Sequence, residues 1–95
     1  MNLNLRNSDQ KLQEMKALWN EWDPCRASPE DKNALDEYDY YLIPTIKFLR
    51  KVPTIVEIEN YLIFVLTKRI GFNKRLTSLS NPHEFAIKLQ NWLKN

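Results

Sequence analysis

Apolar residues recur along this chain at helical spacing, and they do so in four separate stretches. Leu12, Met15, Trp19 and Trp22 stand 3, 4 and 3 residues apart, which places them on one stripe of a helix over about 8–22. Asn7 or Ser8 offers a side-chain oxygen to cap its start, and Pro24 ends it by pushing residue 23 out of the helical region. Residues 23–35, "DPCRASPEDKNAL", carry two prolines and no apolar period, so they read as a loop near the upper length for a small domain.

A second helix is expected over about 36–51. Asp36, Glu37 and Asp39 fall in its first turn, where negative charge meets the positive end of the helix dipole. Tyr38, Tyr41 or Leu42, Thr45 and Leu49 share a face, and Lys47, Arg50 and Lys51 close the element. Pro44 is expected either to kink this helix or to start a new segment within it.

The third helix, over about 54–70, has the clearest boundaries. Thr54 and Glu57 spell a capping box, Pro53 stands just ahead of it, and Gly71 falls where a left-handed C-terminal cap is wanted. Ile55, Ile58, Leu62, Val65 and Leu66 make its main stripe, and Tyr61, Ile63 and Phe64 widen that stripe almost all round. Phe72 to Ser80 reads as a polar connection. "NPHE" then gives Asn81 as cap, Pro82 at the first helical position and Glu84 completing a second box, for a helix over 82–94. The expectation is an all-α fold, a compact bundle of about four helices in a single domain over 1–95.

Composition narrows the chemistry. One glycine in 95 residues excludes a glycine-rich phosphate loop and argues against hairpin-rich β folds. Cys25 is the only cysteine, so neither an intramolecular disulfide nor a cysteine-based zinc site is available. The start of the chain lacks a basic and then apolar leader, and "NYLIFVL" is too short to span a bilayer, so a cytoplasmic location is expected.

Charge divides the chain. Residues 1–46 carry nine acids and five bases, a net of −4, whereas residues 47–95 carry three acids and nine bases, a net of +6. Seven of the acids crowd into 21–39: Glu21, Asp23, Glu30, Asp31, Asp36, Glu37 and Asp39. Such asymmetry marks either a partner-binding face or two halves that neutralise each other.

"NEWDP" (20–24), "DEYDYYLIP" (36–44), "FLRK" (48–51) and "RIGF" (69–72) together resemble a family of short bacterial helical proteins of unassigned function. Its members share a tryptophan–aspartate–proline turn and an Asp-Glu-Tyr-Asp segment. The resemblance covers about residues 12–72. It implies an all-helical fold and no enzyme activity, and it names no substrate.

Within "DEYDYY", Tyr38 and Tyr41 stand three apart and are expected to anchor the turn inward, which points Tyr40 elsewhere. Catalysis is not expected. Acids beside helix starts have a local electrostatic reason, and His83, the only histidine, stands at the opening turn of the last helix without the partners of a triad or a zinc site. A divalent metal on Asp23, Asp36 and Asp39 lacks the alternating ligands and glycine of a calcium loop. No metal and no cofactor is expected.

Nucleic acid ranks second, through Lys68, Arg69, Lys74 and Arg75 in the basic half, although no recognition motif accompanies them. Protein binding ranks first. An acidic face bearing Tyr40 together with Glu21, Asp23, Glu30, Asp31, Asp36, Glu37 and Asp39 suits a basic protein partner. The most specific expectation is an immunity-type inhibitor that occupies the cleft of a bacterial toxin such as a nuclease; a membrane is not the expected partner.

Overall fold

The first helix ends at Trp22, as expected. The computed structural model describes residues 8–24 and 38–94, and α1 runs Ser8–Trp22. It is followed by α2 (Asp39–Leu49), α3 (Ile55–Phe64, continued by a π-helical segment Val65–Ile70), α4 (Lys74–Leu79) and α5 (Pro82–Lys94). The fold is all-α, and the backbone gathers into two units, Met1–Lys51 and Val52–Asn95.

In the first unit α1 and α2 pack as an antiparallel pair. Met15 and Trp19 of α1 are fully buried with Leu42, Thr45, Ile46 and Leu49 of α2, and Tyr38 just ahead of α2 is buried with them. Trp19 is the hub, with the ring of Tyr41 at 5.5 Å, that of Tyr38 at 5.7 Å and that of Trp22 at 5.2 Å between centroids. At those separations tilted and offset rings attract one another beyond the area they bury. Where α1 ends, the amide of Asp23 donates to the carbonyl of Trp19 and the residue turns left-handed, at φ 44°, a conformation aspartate tolerates.

α2 is shorter than the expected 36–51. Residues 36 and 37 lie outside the described set, as do Cys25 and most of the 23–35 loop. The structure carries α2 through Pro44, which does not start a new segment within it. A proline at 44 removes the amide that would bond the carbonyl of Tyr40. Tyr40 and Pro44 both lie on the exposed face, so the missing bond falls on the solvent side of the helix and not in its core face. One residue on, the Thr45 hydroxyl donates to the carbonyl of Tyr41 at 2.6 Å.

In the second unit α3 packs chiefly on α5, burying Ile58, Leu62, Val65 and Leu66 with Phe85, Ala86 and Leu89. The capping box forms as read: Thr54 accepts from the amide of Glu57, whose carboxylate accepts from the amide of Thr54. The expected helix over 54–70 is there, but its last third widens to π geometry. Gly71, at φ 96°, lets its own amide and that of Phe72 both reach the carbonyl of Leu66, at 2.9 and 2.7 Å. This is a wider counterpart of the usual left-handed helix cap.

The polar connection expected over 72–80 is instead the short helix α4. Asn73 caps it by accepting from the amide of Leu76, and the Thr77 hydroxyl donates to the carbonyl of Asn73. Its leucines face outward, Leu76 at 45% and Leu79 at 60% exposed, so no inward apolar stripe announced it. Asn81 also departs from expectation. Its φ of 54° is left-handed, whereas a capping residue has extended backbone, so it turns the chain from α4 into α5.

Candidate protein-binding surface

The three tyrosines of "DEYDYY" part company. Tyr38 is buried and its hydroxyl donates to Oδ1 of Asp23 at 2.7 Å, while Tyr41 is half-buried against Trp19. Tyr40 is 89% exposed. The difference follows from helical phase, because α2 turns Leu42, Thr45, Ile46 and Leu49 to α1, leaves Tyr40 on the far side, and sets Ile43 and Lys47 on the flank between them, spaced i, i+3 and i+7. Ile43 is itself 55% exposed. An aromatic and a branched aliphatic side chain thus stand together in water on α2.

The acids expected to share that surface are placed unequally. Asp39, in the first turn of α2, is exposed and meets the ammonium of Lys16 at 3.3 Å. Both side chains remain more than a third exposed, so solvent screens the pair and it contributes little to stability. Asp23 is half-buried and accepts from Tyr38, which joins the end of α1 to the start of α2. Glu21 lies exposed on the last turn of α1. Glu30, Asp31, Asp36 and Glu37 lie outside the described residues.

Two further features were not read from the sequence. Between the start of α1 and the end of α2 is a hollow of about 150 Å³, floored by Leu12, Ile43 and Ile46. The i+3 spacing of Ile43 and Ile46 on α2 is the signal in the sequence that could have pointed to it. In the second unit a wider depression of about 380 Å³ is lined by Lys74, Thr77, Ser78 and His83 among others. There Nδ1 of His83 lies 2.6 Å from Oε1 of Glu59, linking α5 to α3. Among the described residues, no three of His, Cys, Asp and Glu come together as a metal site would require.

The basic residues Lys68, Arg69, Lys74 and Arg75 are all exposed and flank the Gly71 turn. The guanidinium of Arg69 lies 5.8 Å from the centroid of the Phe64 ring. Those two residues are five apart, the neighbour spacing of a π helix, and the contact has the range of a cation–π interaction.

Comparison with known protein families, with characterised proteins and with solved structures finds no match. Function is therefore read from this geometry.

Proposed function

We propose that the chain is a protein-binding domain whose partner docks on the outer face of α2, and more specifically an immunity-type inhibitor that holds a bacterial toxin domain. The observation that carries this reading is the 89% exposure of Tyr40 beside a half-exposed Ile43, on a helix whose opposite face is buried. Tyrosine joins large contact area to a polar tip and few rotatable bonds, which is why interfaces favour it. The Tyr40 carbonyl left open by Pro44 adds an acceptor to the same patch. Asp39 and Glu21, both exposed, supply the negative charge that a basic toxin cleft would meet.

The test is co-purification and growth rescue with the toxin domain encoded by the adjoining reading frame. Tyr40→Ala should weaken that complex by about thirtyfold, the scale of an interface hot spot. Asp39→Lys should slow association and reduce its dependence on salt. Unchanged affinity in both variants removes this face from consideration.

A second reading takes the basic residues around Gly71 as a nucleic-acid contact, because Arg69 is held beside an exposed aromatic ring, an arrangement suited to a stacked base and a phosphate. Retention of single-stranded RNA with steep salt dependence, lost on Arg69→Ala and Lys74→Ala, would favour it.

A further inference from the structure

The hollow between α1 and α2 has an apolar floor and a rim of mixed charge. Lys11, Lys47 and Arg50 stand around Leu12, Ile43 and Ile46, with Asp9 as the one acid among the described lining residues. Helix position explains some of these charges and not others. Asp9 lies in the first turn of α1, where the helix dipole favours an acid, and Lys47 lies in the last turn of α2, where it favours a base. Lys11 has no such reason. It is the fourth residue of α1, at the positive end of that helix, where a cation is disfavoured. Its place on the rim, opposite two further cations, concentrates positive potential over an apolar floor.

The size of the hollow is equally specific. About 150 Å³ matches an apolar cavity that accepts a benzene-sized group. With Ile43 at 55% exposure the floor is open to an incoming side chain.

We propose that this hollow receives a phenylalanine side chain from an acidic segment of the partner protein, with carboxylates on either side of the phenylalanine meeting Lys11, Lys47 and Arg50. The inference rests on α2 as the docking face and adds the chemistry of the partner. Along α2 the order of charge is then fixed: Asp39 and Tyr40 meet the basic part of the partner, and Lys47 and Arg50 meet an acidic one. The ring displaces water from Leu12, Ile43 and Ile46, while the rim selects its neighbours by sign.

The probe is a set of three blocked pentapeptides titrated into the full chain while its methyl and amide signals are followed by NMR. The sequences are Glu-Asp-Phe-Asp-Glu, the same with alanine in place of phenylalanine, and Lys-Lys-Phe-Lys-Lys. The expected result is a saturable millimolar shift of the Leu12, Ile43 and Ile46 methyls with the first peptide alone. The pair Lys47→Glu and Arg50→Glu should weaken it by about tenfold, the factor that a few exposed charge pairs supply together. Both residues are exposed, so the fold survives their exchange, and unchanged far-ultraviolet circular dichroism checks this.

Equal binding of the basic peptide overturns the charge assignment, and equal binding of the alanine peptide overturns the anchor. Shifts of the same methyls with protein concentration alone make a second copy of this chain the occupant, which also overturns the proposal. If no peptide moves these methyls while Tyr40→Ala still weakens the toxin complex, the hollow falls and the α2 face stands.

Discussion

The ring of Tyr38 lies against Trp19 while its hydroxyl reaches Asp23, so one side chain serves both the core and the turn that ends α1. Tyr38→Phe keeps the ring and removes the donor from a half-buried carboxylate. A loss of about 1–2 kcal/mol is expected from urea denaturation, with near-ultraviolet circular dichroism retained. Val52 makes the opposite case. It is a β-branched residue at φ 53°, 74% exposed and directly before Pro53, so it bears backbone strain without burying its side chain. Val52→Asn should stabilise the chain by about 1 kcal/mol and raise its melting temperature, since asparagine accepts the left-handed region more readily. At this scale the sequence was informative where chemistry is local. The phase of Tyr38, Tyr40 and Tyr41 follows from spacing alone, whereas nothing written at position 52 reveals a positive φ.

Helix limits were legible where a side chain caps the backbone. Thr54 and Glu57 state the start of α3, and Thr54→Ala should cost about 1 kcal/mol in denaturation, through loss of one arm of the box. Pro24 and Gly71 likewise mark ends that the chain respects. Elements were missed where the decisive contact is not apolar. α4 is held by hydrogen bonds of Asn73 and Thr77 and turns its leucines outward, so a search for an inward stripe passes over it. Pro44 starts no new segment within α2, and it lies on the exposed side of the helix. The widening over Val65–Ile70 leaves no mark in the pattern, as an apolar run reads alike at either pitch.

On the scale of the whole chain, the division of charge between the two halves was plain in the sequence, but its use was not. Two ion pairs each join residues within one unit, Lys16 to Asp39 in the first and His83 to Glu59 in the second. Among the described residues no helix is long and apolar enough to cross a membrane. Each unit relies on a small buried set. Leu62 is fully enclosed in the second, and Leu62→Ala should cost about 2–5 kcal/mol, a large part of the about 5–15 kcal/mol of a typical domain. Hydrogen exchange would register this as faster exchange throughout α3 and α5. Exposed apolar residues are the other large feature, with Tyr40 and Ile43 foremost: the peptide titration decides the use of Ile43, and the Tyr40→Ala complex that of Tyr40.

The broadened coil at Val65–Ile70 has a consequence for chain length. A π turn stores an additional residue within an unbroken helix, and reverts to ordinary pitch when that residue is taken out. Omitting Thr67, a half-buried position there, should therefore yield a chain of 94 residues that still reaches the Gly71 turn, with the widened turn drawn in to a narrower one.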